Sequence, residues 1–370
     1  RHARVETRDT GPFLKARPSS PFSFQPPAEI NIGVILWTGG AWQEGFGPLK
    51  QPPDERESIM TQAFVFPGQG SQAVGMGRAL AEAYPEARAV FAAVDDALGQ
   101  KLSDLMWGGP EDELTLTENA QPALMAVSMA ALRVLDGRGL VLADSASHVA
   151  GHSLGEYTAL TAAGALQLED AARLLKLRGQ AMQRAVPVGV GAMAALLGLD
   201  YEAVAEIAEE AATGDEICAA ANDNANGQVV ISGHAAAVAR ACDFAKERGA
   251  RRAMELPVSA PFHCALMQPA ADEMQAALAE TTINVPCVPL IANVTAQPVS
   301  DGDTIRDLLV QQVTGSVRWR ESMIWAADNG VTELVEIGSG KVLTGIAKRI
   351  DGRLAAKALN TPEDIDGFLS

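Results

Sequence analysis

The sequence predicts an α/β protein: a larger parallel-sheet domain interrupted by a small α+β insert. Two observations carry this. From Met60 onward, short apolar runs alternate with segments of helical periodicity, the pattern of a parallel sheet covered on both faces. Between about residues 187 and 256 that rhythm gives way to a strand–helix–strand–strand–helix–strand order, the ferredoxin-like plan, for which about 70 residues suffice. The first pattern then resumes. The expected organisation is an N-terminal extension at 1–59, a large domain at 60–186 and 257–370, and the insert at 187–256.

Taken in order, Ala63–Phe66 reads as a buried strand closed by Pro67-Gly68. Helical periodicity runs through Arg78–Leu98 as one helix and again through Gln121–Leu135. His148–Ala150 reads as the next strand, and Glu156–Ala165 and Glu169–Gln183 as helices. In the insert, Gly191–Leu199, Ile217–Ala221, Gln228–Ser232 and Arg252–Leu256 are strands, and Tyr201–Ala212 and Ala235–Arg248 are helices. The large domain resumes through helix Ala270–Glu280, strand Pro289–Val294, helices Asp303–Val313 and Glu321–Asn329, and strand Glu333–Ile337. A cleft between insert and large domain is the expected ligand site.

Composition narrows the partners. The chain of 370 residues carries 29 Lys+Arg against 46 Asp+Glu, a net charge of −17, which disfavours nucleic acid and anionic membrane as partners. Residues 1–59 hold eight of the twenty prolines and show no sustained period; they read as a functionless or disordered extension, or as an organellar targeting segment given the early Arg and Lys residues. The apolar stretch Ile30–Trp37 is far too short to span a bilayer. Four widely spaced cysteines, Cys218, Cys242, Cys264 and Cys287, offer no zinc spacing and read as reduced thiols, so a cytoplasmic location and no metal are expected.

The strongest chemical signal is Gly151-His152-Ser153-Leu154-Gly155, which follows a strand and opens a helix. That is the context of a nucleophile elbow: flanking glycines permit the sharp turn, the hydroxyl of Ser153 stands exposed, and the helix N-terminus aims free N–H groups at an oxyanion. The arrangement is α/β-hydrolase-like. Ser153 then needs a base. His2 lies in the extension, His148 in a strand, His152 beside the nucleophile and facing away, and His234 at a helix start in the insert. By elimination the base is His263, where the insert rejoins the large domain. No Asp stands out as its partner. Either a backbone or amide oxygen orients His263, or the triad reading fails. Gly68-Gln69-Gly70-Ser71-Gln72-Ala73 matches the loose dinucleotide fingerprint, but no second strand ending in an acid follows at the required spacing. Its glycines suggest backbone N–H groups brought close to a reacting group. Gly338-Ser339-Gly340-Lys341 lacks the earlier glycine and the Ser or Thr of a phosphate-binding loop.

Several longer stretches resemble the malonyl-CoA:acyl-carrier-protein transacylases of type II fatty acid synthesis. They are FVFPGQGSQAVGMG (Phe64–Gly77), AGHSLGEYTAL (Ala150–Leu160), LRGQAMQRAVPVGVGAMAA (Leu177–Ala195), GQVVISG (Gly227–Gly233), HCALM (His263–Met267) and GKVLTG (Gly340–Gly345). The resemblance implies malonyl transfer from malonyl-CoA to the phosphopantetheine thiol of acyl carrier protein through a malonyl-Ser153 intermediate, without a cofactor and with a monomeric enzyme. It implies His263 as base, the backbone N–H groups of Gln69 and Leu154 as oxyanion hole, and Arg178 as the clamp on the malonyl carboxylate. Alone, Arg178 reads as an ordinary solvated helix arginine.

The resemblance also implies that the main-chain oxygen of Gln312 orients His263, and that Asn222 and Asn224 lie in a polar loop near the substrate. Ala225 and Asn226 depart from the Ser-Pro usual there. Phe262 resembles the bulky residue of malonyl-selective polyketide acyltransferases rather than the Ser of many free-standing transacylases, which keeps a polyketide or polyunsaturated fatty acid partner open. A serine thioesterase using the same elbow, and a carrier-binding subunit with a decayed site, are the competing readings. Lys348, Arg349, Arg353, Arg251 and Arg252 are candidate contacts for an acidic carrier protein.

Overall fold

A computed structural model describes residues 61–258 and 260–369; the extension at 1–59 and its readings lie outside the described residues. The strands are β1 (Thr61–Phe66), β2 (His148–Gly151), β3 (Gly191–Leu197), β4 (Cys218–Ala225), β5 (Gln228–His234), β6 (Arg252–Glu255), β7 (Leu290–Ile291), β8 (Pro298–Val299), β9 (Val331–Ile337) and β10 (Ala355–Leu359). They form two separate sheets.

The larger sheet has the order β10-β9-β1-β2-β7-β8, parallel from β10 to β7 with β8 antiparallel at one edge. Its centre is apolar on both faces, as helices on either side require. Phe64 and Phe66 of β1 enter one core, while Ala63 and Val65 enter another with Trp319, Met323, Leu343 and Ile346. The register pairs Phe66 with Gly151, so the carboxyl ends of β1 and β2 lie side by side. Loops leaving those two ends must meet, and in open α/β sheets ligands bind at such places.

The smaller sheet is antiparallel with the order β4-β5-β3-β6. Strand alternation splits its side chains cleanly. Ala194, Leu196, Val229 and Ile231 pack with helices Tyr201–Ala211 and Ala235–Glu247 in a core of their own, while Met193 and Val230 point the other way.

Several elements differ from expectation. The predicted helix Arg78–Leu98 is two helices, Arg78–Ala83 and Pro85–Leu98, because the residue before a proline is driven to extended geometry; Tyr84 has φ −130° and ψ 123°. The predicted strand Pro289–Val294 pairs only at Leu290–Ile291, and the chain then turns, which releases Asn293 from the ladder. β4 continues to Ala225, so Asn222 and Asn224 stand on a strand rather than in a loop, with register shifts between Ala220 and Asn222 and between Asp223 and Ala225. Beyond Ile337, helix Val342–Ile350 leads to β10, which adds an edge to the large sheet. Sequence reading missed both, since the helix is short and Ala-Ala-Lys-Ala-Leu carries little strand propensity.

Candidate active site

Ser153 occupies the turn between β2 and helix Leu154–Ala162, with φ 54° and ψ −109°. This is a left-handed backbone that non-glycine residues rarely adopt, and among the described non-glycine residues only His263 (φ 58°) and Ala296 share a positive φ. The glycines on either side serve close approach. A Cβ at Gly151 would lie 1.9 Å from the Gly155 backbone, and one at Gly155 would lie 2.3 Å from the Phe66 carbonyl oxygen. His152 N–H donates to that same oxygen at 3.0 Å, tying the elbow to the end of β1.

Asn293 braces the turn from the far side. Its Oδ1 accepts from Ser153 N–H at 2.8 Å and its Nδ2 donates to the Gly151 carbonyl at 2.7 Å. Sequence reasoning did not single it out; the available signal was one buried amide closing the apolar run Leu290-Ile291-Ala292.

His263 Nε2 lies 2.8 Å from Ser153 Oγ, although the two residues are 110 apart in the chain. Its Nδ1 faces two carbonyl oxygens, of Gln312 at 2.9 Å and Gly315 at 3.2 Å. Carbonyls only accept, so Nδ1 carries the proton and Nε2 presents its lone pair to the serine hydroxyl. The orienting group is thus a backbone oxygen. Burial, reinforced by the nearby Arg178 cation, pushes the His263 pKa from 6.5 down to about 3. The imidazole is therefore neutral at physiological pH, the form a base requires.

Arg178 is 1% exposed, not solvated. Its guanidinium donates to Gln121 Oε1 (2.7 Å), Gln312 Oε1 (2.8 Å) and Ser153 Oγ (3.1 Å), and its centre lies 5.7 Å from the ring of Tyr157. Among the described residues no carboxylate forms an ion pair with it. A buried cation held only by neutral acceptors is costly alone and is positioned to take an anionic group beside the serine.

A cavity of about 370 Å³ joins these residues. Gln69, Ser153, Leu154, Arg178, Phe262 and His263 line it, facing Met193, Asn222, Asn224 and Val230 from the small sheet. The site therefore lies where the two sheets meet. The backbone N–H groups of Gln69 and Leu154 have no protein acceptor among the described residues, so both are free to donate. Asn224 Oδ1 lies 2.8 Å from His152 Nε2, which turns that imidazole away from Ser153. His234 accepts from Ile217 N–H, and His148 lies edge-on to Trp325. Asn226 Nδ2 donates to the carbonyls of Arg349 and Ile350, capping the C-terminal end of helix Val342–Ile350.

Beneath the serine lies a second unpredicted residue. Glu156, 1% exposed in the first turn of the elbow helix, accepts from Asn293 N–H at 3.2 Å and from Gln312 Nε2. Burial raises its pKa from 4.5 to about 7 against those hydrogen bonds and the Arg178 charge.

The acyl transferase domain family matches residues 63–350. The chain is 50% identical over 304 residues to the malonyl CoA-acyl carrier protein transacylase of Escherichia coli strain K12, covering 82% of this chain and 97% of that one. A crystal structure of an acyl-carrier-protein S-malonyltransferase from Bartonella henselae superposes with a TM-score of 0.82 at 57% identity, over 84% of this chain and 98% of that one. A malonyl-transacylase solved in complex with its type II polyketide acyl-carrier protein superposes with a TM-score of 0.80 at 45% identity, over 83% and 98%. With relatives this similar matched across nearly their whole length, the chain belongs to the acyl transferase domain family and, within it, to the malonyl-CoA–acyl carrier protein transacylases.

Proposed function

We propose that the chain transfers malonyl from malonyl-CoA to the phosphopantetheine thiol of acyl carrier protein, supplying extender units for fatty acid synthesis. The observation that carries this reading is a buried guanidinium with no carboxylate ion-paired to it among the described residues, 3.1 Å from a serine hydroxyl that is itself 2.8 Å from a neutral imidazole. Malonyl differs from acetyl by one carboxylate, the group such a cation selects.

In the proposed route Ser153 Oγ attacks the thioester carbonyl while His263 Nε2 takes its proton. The developing oxyanion receives the N–H groups of Gln69 and Leu154. As the C–S bond breaks, His263 returns the proton to the coenzyme A sulfur. The carrier thiol then gives its proton to His263 and attacks the malonyl ester, and the serine oxygen recovers a proton as it leaves. Arg178 holds the carboxylate through both halves and keeps the acyl carbon in register with the nucleophile. Gln312 orients His263 through its carbonyl and Arg178 through its side chain. Phe262 lines the cavity beside His263, and Asn222 and Asn224 shape the wall opposite. No metal or cofactor enters these steps.

The division into a large domain (60–186 and 257–370) and a ferredoxin-like insert (187–256) is the organisation we favour. It is supported by the β4-β5-β3-β6 order and the separate apolar core of the small sheet. Our proposed docking surface for the carrier protein is one end of that sheet. Arg349 reaches Gln228, Gln228 pairs with Leu197, and Leu197 pairs with Arg252, so Lys348, Arg349, Arg251 and Arg252 gather there. Arg353 is ion-paired with Asp328 and Asp351, which leaves it a weaker candidate. A monomer in the cytoplasm fits this reading, and among the described residues no helix is long and apolar enough to cross a membrane.

Mixing the protein with malonyl-CoA and holo carrier tests the assignment. Malonyl-carrier should accumulate well ahead of free malonate; malonate released as fast as carrier is loaded would make the chain a thioesterase.

A further inference from the structure

Gln312 is the hub of the site, and its side-chain amide can be inserted either way round. One end faces Arg178, which only donates. The other faces the Ser153 carbonyl at 2.9 Å, which only accepts, and the Glu156 carboxyl, which only accepts when ionised. Only one orientation satisfies all three: oxygen toward Arg178, NH2 toward Ser153 and Glu156. The second carboxylate oxygen of Glu156 is occupied by Asn293 N–H, and the side chain of that same Asn293 braces the elbow on both sides of Ser153. Glu156 does not line the cavity, so it touches no substrate.

We propose that Glu156 is a positioning residue: its two carboxylate oxygens lock the Gln312 amide in the orientation that presents an acceptor to Arg178, and so set the guanidinium for the malonyl carboxylate. The proposal rests on the assignment of Arg178 as carboxylate clamp. A carboxylate is required because two N–H donors converge on Glu156 from different elements. A glutamine of the same shape offers one acceptor oxygen, so its NH2 must oppose either Asn293 N–H or the Gln312 NH2. Turning the Gln312 amide over relieves the second clash but aims an NH2 at Arg178. The cation then loses an acceptor and gains a repulsive neighbour. An ordinary carboxylate at a helix N-terminus would contribute to stability but would not distinguish one acyl group from another.

The experiment compares transfer from malonyl-CoA and from acetyl-CoA to holo carrier at about pH 8, above the Glu156 pKa of about 7, in wild type, Glu156→Gln and Glu156→Asp, with Tm measured for each. Wild type is the control on the parent reading: a wild-type chain with no malonyl preference would overturn the clamp itself. Given that preference, Glu156→Gln should lower the malonyl-to-acetyl ratio of kcat/KM by roughly tenfold, the size of one misdirected buried hydrogen bond. Glu156→Asp, which keeps two acceptor oxygens, should retain most of the ratio even if its rates fall. Equal losses for both acyl groups in Glu156→Gln would overturn the proposal, whatever the Tm. If Glu156→Gln does not fold, Glu156→Asp decides: a ratio that collapses there would overturn it too, and a retained ratio supports it.

Discussion

At the carboxyl ends of β1 and β2 the large sheet brings Gln69, Ser153 and Leu154 to the cavity, where Arg178 joins them from the buried face of helix Leu168–Ala185, backed by Gln312 on the buried face of helix Gly302–Thr314. The small sheet sends Met193, Val230, Asn222 and Asn224 to the same space. The first group is tied down by a continuous set of buried polar bonds running from Asn293 through Glu156 and Gln312 to Arg178 and His263. The second stands on a sheet whose opposite face packs in a separate apolar core. Reactive groups need fixed donors and acceptors; a wall needs shape and a few amides. The contrast predicts that substitutions on the large-sheet side change chemistry, and those on the small-sheet side change recognition.

The largest effect tests the first half. Under the proposed route Ser153→Ala should lower malonyl transfer by on the order of 10³-fold or more in steady-state assays, since that route leaves no other group to carry the malonyl ester. Next, Arg178→Ala should cut kcat/KM for malonyl-CoA by roughly 10²-fold while changing acetyl transfer far less. Equal losses would break the link between the cation and the carboxylate.

A pH profile sharpens the comparison further. His263 is depressed to about 3 by burial, with Arg178, His152 and the Gln312 and Gly315 carbonyls around it. The acid limb of malonyl-serine formation should therefore fall below about pH 5 rather than near the ordinary histidine value. The same depression costs stability in acid. Between about 6.5 and 3 the unfolded chain takes up a proton that the folded imidazole refuses, so stability falls as pH falls across that window. Glu156, raised to about 7, has the opposite slope; its contribution is complete below about 4.5 and is lost as pH rises through 7.

The smallest effect belongs to the small-sheet end. Lys348→Glu with Arg349→Glu should raise KM for holo carrier several-fold, more so at low salt, and leave KM for malonyl-CoA unchanged. A matching rise for malonyl-CoA would move the carrier contact elsewhere.

What the residues disclosed unaided follows the same division. The elbow was legible because glycines flank a serine at a strand–helix junction, and the physical need for them is local. The mixed α/β character, with a parallel sheet and a separate antiparallel one, was legible because apolar periods differ between strand and helix. Arg178 was not legible as a buried group: a helix arginine carries no local mark of burial, and only resemblance singled it out. Glu156 and Asn293 were missed for a related reason. Their partners lie 137 to 156 residues away in the chain, and the turn that frees Asn293 from β7 is set by tertiary contacts. Pro85 is a milder case. Its effect on Tyr84 is local, and the periodicity on either side masked it.

The most direct test of the central claim is peptide-resolved mass spectrometry of wild-type protein, acid-quenched after mixing with malonyl-CoA in the absence of carrier. One malonyl group on the peptide containing Ser153 is the predicted result. Malonyl on another residue, or malonyl-CoA consumed with no acylated peptide at any quench time, would contradict it.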